Sequence, residues 1–326
     1  MRRVTAFWAA AALGLCLAMA LESRLSGVRI LVCIASYNLQ QFVHLGRQLE
    51  GIRDLCEAGA AVEIVVHATE EWPELMEREL RRRLYCYRTG MPVPLRVDML
   101  PRTVRLMLTN QHRLEMYKNL ERFDLFLYAE DDLLVTPGHA AAFLEEEQRL
   151  YDAGMDIWER YSLCFMRYEF NTSFAYLNDT NRDAMRDVRR VFWEHQRPLR
   201  VNLPLRYVGP YQYIRPRRTH TGMFFATQRQ LRHYESICQF SKPTKRPGTA
   251  AQPARGTQRV WMAGLMLYDV QRGCGITPVI PASNYASFTL HHLPNKNFRR
   301  VGRKGRIQAD LIPAEELDEY IVQSVT

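Results

Sequence analysis

Apolar positions along the chain alternate between two periods. The β-branched run Val28-Arg29-Ile30-Leu31-Val32-Cys33-Ile34-Ala35 is short enough for a buried parallel strand, and Ser36-Tyr37-Asn38 breaks it. Phe42, Leu45, Leu49, Ile52 and Leu55 follow at helical spacing and stop before Gly59, a residue suited to the position past a helix end. A second strand is predicted from Ala61 to His67. Pro73 opens a second helix with Met76, Leu80, Leu84 and Tyr87 on one face and arginines opposite. A strand over Leu95 to Leu100, a helix from roughly Val104 to Leu120 and an apolar strand, Phe123 to Ala129, come next. Thr136-Pro137 signals a helix running to Gly154. This alternation predicts an α/β fold around a largely buried sheet. Beyond Asp156 it weakens, as expected if the second half supplies a binding face rather than more βαβ units. Lys242 to Gln258, rich in Pro, Gly, Lys and Arg, reads as a mobile loop.

The composition, 47% hydrophobic and 24% charged over 326 residues, is that of a globular chain able to bury a large core, and no linker divides it. The net charge of +9 suits a polyanionic ligand or an anionic membrane surface, and nothing resembles a nucleic-acid module. Met1-Arg2-Arg3 precedes an apolar run from Thr5 to Leu21, at the short limit for a spanning helix, and the arginines predict a cytoplasmic N-terminus. Ala18-Met19-Ala20 gives a cleaved signal peptide as the second reading. Either reading divides the chain into 1–27, a cytoplasmic tip, anchor or signal and short stem, and a single domain, 28–326, on the lumenal or extracellular side. There Cys33, Cys56, Cys86, Cys164, Cys238 and Cys274 would meet an oxidising compartment, with their pairing open. Asn171-Thr172-Ser173 and Asn178-Asp179-Thr180 are glycosylation sequons.

Glu130-Asp131-Asp132 ends the strand Phe123 to Ala129, the end at which open α/β sheets place ligands. Three adjacent carboxylates repel one another, and a hard divalent cation relieves that repulsion. Glu130 and Asp132, at i and i+2, share a face and can enter one site, with Asp131 turned elsewhere. Two acids flanking a scissile glycosidic bond would stand about 5 Å or more apart, so adjacent acids suit chelation better than glycoside hydrolysis.

Phe126-Leu127-Tyr128-Ala129-Glu130-Asp131-Asp132-Leu133 resembles the Asp-x-Asp motif of GT-A glycosyltransferases, in the Glu-Asp-Asp form of N-acetylglucosaminyltransferases. The resemblance spans roughly Val28 to Asn297. It implies a GT-A (Rossmann-like) catalytic domain with a central mixed sheet, preceded by a short N-terminal apolar helix. Its implied substrates are a nucleotide-diphosphate sugar, bound with Mn2+ or Mg2+, and a glycan, protein or lipid acceptor. The transfer would be of a hexosyl or N-acetylhexosaminyl group by a type II membrane protein of the Golgi or endoplasmic reticulum. It further implies that Asp132 binds the metal, Glu130 approaches the ribose, Asp131 supports them, and Ser36, Tyr37 and Asn38 begin the nucleotide site. His220-Thr221-Gly222-Met223-Phe224-Phe225 is similar to the strand lining the acceptor site. A late histidine completes the metal shell in several such families, which points to His291-His292. Strand alternation along Ala286 to His292 puts His291 on the polar face and favours it as the ligand.

Two departures stand out. His67-Ala68-Thr69-Glu70 lacks the Asp that many relatives direct to the base, and Gln258-Arg259-Val260-Trp261 lacks the acid of an inverting enzyme. Glu169 and Asp269 are the candidate catalytic acids instead, each weighed against an ordinary ion-paired or surface role. Arg113 is a candidate for the diphosphate, weighed against a plain helix-surface arginine, and Lys245, Arg246 and Arg255 are candidates for a closing loop. A catalytically inactive binding protein of the same fold is the alternative function.

An N-terminal fusion tag is expected to stay cytosolic while the body of the chain resists protease in sealed microsomes. A soluble mature chain beginning near Leu21 would establish cleavage instead.

Overall fold

The computed structural model describes residues 24–172, 188–194, 198–205, 209–217, 220–242, 263–301 and 311–322. The predicted anchor segment, the second sequon, the loop from 243 to 258 with Lys245, Arg246 and Arg255, and Gln258-Arg259-Val260-Trp261 lie outside the described residues. Among the described residues no helix is long and apolar enough to cross a membrane.

The first half alternates β1 (Arg29–Ser36), α1 (Phe42–Glu57), β2 (Ala61–Ala68), α2 (Glu74–Arg83), β3 (Leu95–Met99), α3 (Gln111–Lys118) and β4 (Leu125–Glu130), followed by the short β5 (Leu133–Leu134) and α4 (Pro137–Ala153). Later come β6 (Met166–Phe170), β7 (Arg190–Phe192), β8 (Met223–Thr227), α5 (Gln228–Cys238), β9 (Thr289–His292), β10 (Ile312–Pro313) and α6 (Ala314–Val322). The central sheet has the order β8-β4-β1-β2-β3. Its β4, β1, β2 and β3 are mutually parallel, and β8 closes the β4 edge antiparallel, so the sheet is mixed.

Both faces of that sheet are covered, which is why its strands read as unbroken apolar runs rather than alternating ones. Ile30, Val32 and Ile34 of β1 join Leu125, Leu127 and Ala129 in one core with Leu45, Leu49 and Ile52 of α1 and Phe143 of α4. Leu31 and Cys33 pack with Phe126 and Tyr128 in a second core beneath Met116 of α3 and Leu231 of α5. Each fully buried aliphatic side chain contributes roughly 1.5–3 kcal/mol.

A second five-stranded sheet, of order β10-β7-β6-β9-β5, stands beside the first. Only Asp131 and Asp132 separate β4 from β5, so at these residues the chain leaves one sheet and enters the other. A further four-stranded sheet contains Leu199–Leu205, Gly209–Arg215, Thr277–Pro281 and Tyr161–Leu163.

Three predicted elements differ. The second helix ends at Arg83, because Cys86 is crosslinked to Cys56 and the Glu57 carboxylate accepts the N–H groups of Tyr87 (2.7 Å) and Arg88 (3.1 Å). These ties draw the chain into a hairpin of Tyr85–Cys86 and Met91–Pro92 and leave Tyr87 exposed. The third helix is a 3-10 stretch, Arg102–Asn110, followed by α3. Residues 286–288, read as strand, close the 3-10 segment Ala282–Phe288. A second disulfide joins Cys238 and Cys274, while Cys33 and Cys164 are free and buried.

Gly51 marks the closest approach of α1 to the chain after β5, since a Cβ there would lie 2.2 Å from the Val135 carbonyl oxygen. Gly51→Ala is therefore expected to destabilise by about 1–3 kcal/mol through overpacking against backbone, read as a lower urea midpoint. An unchanged midpoint would show that the helix can shift away freely.

Candidate active site

The acidic triplet is fixed first by its backbone. The Glu130 N–H donates to the Gly222 carbonyl (2.8 Å), the Gln48 side-chain amide donates to the Glu130 carbonyl (2.9 Å), and the Leu293 N–H donates to the Asp132 carbonyl (2.9 Å). Strands β8 and β9 and helix α1 thus converge on three residues. Gly222 has a φ of +70°, and a Cβ there would sit 2.9 Å from Glu130 Oε2. Both the left-handed backbone and the close approach call for glycine.

The side chains divide as the strand period predicts. Asp132 Oδ2 lies 3.1 Å from His292 Nε2, and Glu130 Oε2 lies 4.0 Å from Arg167 Nη1. Asp131 is buried on the other side, where Ser36 hydrogen-bonds to it. Asp131 Oδ2 and Asp132 Oδ1 are buried without a hydrogen-bond partner among the described residues.

His292 is the centre of a relay. Its Nδ1 stands 2.5 Å from Glu169 Oε1, and Glu169 also accepts the backbone N–H groups of Asn297 (3.1 Å) and Phe298 (2.7 Å). Glu169 is completely buried, with both oxygens engaged. Arg167, two residues earlier on the same face of β6, forms a two-pronged ion pair with Glu194 and lies 4.9 Å from the Trp193 ring centre. The side chains of Asp132, Glu130 and Glu194 keep 13%, 15% and 17% exposure, so the carboxylates open to solvent while Arg167 and His292 beneath them are almost sealed.

Burial alone would raise the Asp132 carboxyl, but His292, Arg167 and Lys296 outweigh it and hold the group down at about 2. Burial lowers His292, yet Asp132 and Glu169 pull it above its ordinary value. Asp131 is pushed well above the carboxylate range by burial and then by the charge of Asp132. Burial also raises Glu194, against the pull of Arg167. Half-buried His44, near the start of α1, is lowered by burial and feels the field of Asp132.

The remaining predicted residues are placed as follows. His291 points away from Asp132, its Nε2 3.0 Å from Asn295 Oδ1 and its ring stacked on Tyr168 at 5.4 Å. Of the two histidines it is thus His292, on the buried face of β9, that reaches Asp132 in the seam between the sheets. Asp269 caps its own turn, its Oδ1 accepting the N–H groups of Gln271 and Arg272. Arg113 is not a surface arginine: it lies fully buried in the second core, 3.1 Å from Met266 Sδ and 4.0 Å from the Phe240 ring centre, and burial lowers its pKa to about 9. Asn38 Oδ1 caps the backbone N–H of Gln40, and the exposed Tyr37 offers its carbonyl to the Thr69 hydroxyl (2.6 Å). Beside them, at the carboxyl ends of β2 and β3, a groove of about 590 Å³ is lined by Thr69, Glu70 and Arg102 among others.

Arg167, Glu194, Gln48 and His44 escaped the sequence reading. For Arg167 a signal existed, since Arg167 and Glu169 alternate about Tyr168 as two charges on one strand face. Among the described residues no preformed cluster of three His, Cys, Asp or Glu side chains stands ready to hold a metal, and the pair Asp132–His292 is the nearest to one.

No family model matches the chain, and no curated protein matches it in sequence. Among solved structures it is similar to the bifunctional glycosyltransferase WbbM, at 12% identity over 63% of this chain and 32% of that one, with a TM-score of 0.30. It is also similar to S. aureus TarS 1-349, at 12% identity over 47% and 43%, with a TM-score of 0.25. The chain therefore spans less than half of either neighbour, and likenesses at this level carry no argument about its chemistry.

The linkage of His292 has a definite sign. Its pKa rises on folding, so its stabilising contribution is full below 6.5 and fades as pH rises through the folded value. The Asp132 contribution is present above 3.8 and is lost as pH falls through about 2. In chelator, the stability gap between the wild-type chain and His292→Gln should be full below pH 6.5 and shrink as pH rises above it. A gap independent of pH in urea titrations would contradict the relay.

Proposed function

We propose that this chain is a metal-dependent glycosyltransferase with a GT-A-like domain, moving a hexosyl or N-acetylhexosaminyl group from a nucleotide-diphosphate sugar to a glycan, glycoprotein or glycolipid acceptor. One observation supports this most directly: at the carboxyl end of β4, buried oxygens of Asp131 and Asp132 lack partners among the described residues, beside an imidazole already directed at Asp132. Buried carboxylates without compensation are costly, and carboxylate oxygens with one imidazole suit manganese or magnesium. When bound, such an ion would neutralise charge on the departing diphosphate.

Asp132 and His292 would hold the metal, replacing their mutual hydrogen bond with a shared ligand. Glu169 acts as a positioning residue: by accepting a hydrogen bond from Nδ1–H it would leave the Nε2 lone pair for the metal. It is sealed from any acceptor and so is not proposed as the base. Glu130, held near Arg167, faces the mouth and is available to a ribose hydroxyl. Lys296 is exposed at the rim, where its charge already reaches Asp132, and it suits a phosphate contact. The groove bordered by Thr69 and Arg102 lies next to Tyr37 and suits the nucleoside part of the donor.

Two disulfides fit an oxidising compartment, in keeping with residues 5–21 as a signal-anchor and a lumenal domain in the Golgi or endoplasmic reticulum.

Purified protein should hydrolyse or transfer from one member of a nucleotide-sugar panel only with manganese or magnesium. Asp132→Asn should abolish this without unfolding the chain, and wild-type turnover in that variant would sink the reading. His292→Ala and Glu169→Gln should each raise the manganese concentration needed by about 10–100-fold in direct binding titrations, with His291→Ala nearly neutral. Metal affinity should fall with pH, because coordination needs the neutral imidazole that folding disfavours.

A further inference from the structure

The hairpin of residues 85–92 exposes apolar surface on a rigid support. Tyr85, Tyr87 and Met91 are 43%, 79% and 65% exposed, with Tyr85 and Tyr87 in an edge-to-face pair at 5.2 Å. Pro92 is exposed beside them. These side chains are not on a loose tip. The Cys56–Cys86 crosslink and the two N–H bonds to Glu57 fix the hairpin to the end of α1. Those bonds also engage the carboxylate of Glu57, so it does not offer a free acceptor beside the tyrosines. Clustered exposed apolar side chains on a fixed frame mark an interaction surface, and Tyr with flanking Arg is the composition that settles at a lipid headgroup layer.

The position of the hairpin names the partner. The Gly27 N–H donates to the Gly59 carbonyl (3.1 Å), and a Cβ on Gly59 would meet Ser26 at 3.3 Å and the Arg88 guanidinium at 3.5 Å. Ser26 and the hairpin arginine are thus neighbours. From Leu21, the last residue of the apolar run, to Ser26 is five residues, no more than about 18 Å even when fully extended. Residues 27 and 59 precede β1 and β2, and the hairpin precedes β3, so all three lie at the amino end of the parallel strands. Glu130-Asp131-Asp132 lie at the carboxyl end of β4, parallel to β1, whose eight residues span roughly 26 Å.

We propose that hairpin 85–92 rests in the headgroup layer of the membrane that holds residues 5–21, orienting the domain so that the acidic site faces away from the bilayer. This rests on the anchor reading of residues 5–21 and is independent of the sugar chemistry. The contact turns a short tether into a fixed orientation: one embedded segment lets the domain tumble, and a second contact at its side stops it. Acceptors would then approach from the lumen rather than from the bilayer plane.

The test uses the full chain reconstituted into phosphatidylcholine–phosphatidylserine vesicles whose acyl chains are brominated near the headgroups. Tyr87→Trp and Met91→Trp report from the hairpin, and Val43→Trp, 76% exposed at the start of α1, reports from the opposite end. The emission of the five native tryptophans is subtracted using the unsubstituted chain. Both hairpin reporters are expected to be quenched at least about twofold more than Val43→Trp and to shift to shorter wavelength. Chain retained after alkaline washing but quenched equally at all three positions overturns the hairpin contact, and would direct the same surface to a protein partner. Chain released by the wash overturns the anchor reading and the proposal with it.

Discussion

Burying several carboxylates in one seam is the constraint on which this structure turns. Glu130, Asp132, Glu169 and Glu194 lie between two sheets, and an ionised carboxylate in such a place is tolerated only when charge and hydrogen bonds compensate it. Arg167 compensates Glu130 and Glu194, and His292 compensates Asp132 and Glu169. Each cation therefore serves two acids. Removing one would weaken the compensation of two carboxylates at once, which makes the seam a unit rather than a set of separate ion pairs.

That unit also holds the architecture together. Asp132 belongs to the turn between β4 and β5, His292 ends β9, and Glu169 lies on β6, so the relay crosses from the central sheet into the second. Pairing of β9 with both β5 and β6 sets the register that puts His292 opposite Leu133, directly beside Asp132. On the other flank Gly222 must lack a side chain for Glu130 to be accommodated, and Gln48 anchors the Glu130 carbonyl from α1. Regular secondary structure thus positions a few polar atoms, and among the described residues Asp131 is left to Ser36 and backbone.

The first half of this arrangement was legible in the sequence because its signals are local. Apolar runs such as Ile30 to Ile34, helical spacing in α1 and the Thr136-Pro137 start each depend on neighbouring residues, and all correspond to observed elements. The acidic triplet was legible for the same reason. What the sequence hid depends on distant pairing. His292 lies 160 residues from Asp132, and Arg167 lies 27 residues from Glu194, so no window contains either pair. The polar-face rule pointed to His291, which is turned from Asp132, because the acidic residues lie in an interior seam that the buried face of β9 reaches. The early end of α2 was hidden likewise, since a crosslink and a capping carboxylate from another helix decide it.

The two crosslinks reinforce the cores at helix ends: Cys56 and Cys86 belong to the first core, and Cys238 and Cys274 pack against the second. Cys56–Cys86 and Cys238–Cys274 close loops of 30 and 36 residues, which restricts the unfolded chain by roughly 3.5 kcal/mol each in the entropic account. Both attach the end of a helix to a peripheral segment, the hairpin in one case and the turn after Gly273 in the other. Cys33 and Cys164 are free in the second and first cores, where burial raises each thiol above its ordinary pKa and keeps it from the thiolate form that exchange requires. The presence of a partner rather than burial therefore separates the crosslinked cysteines from the free ones. Covalent ties secure the periphery, apolar packing secures the sheet, and the seam between the sheets is left to be held by charge.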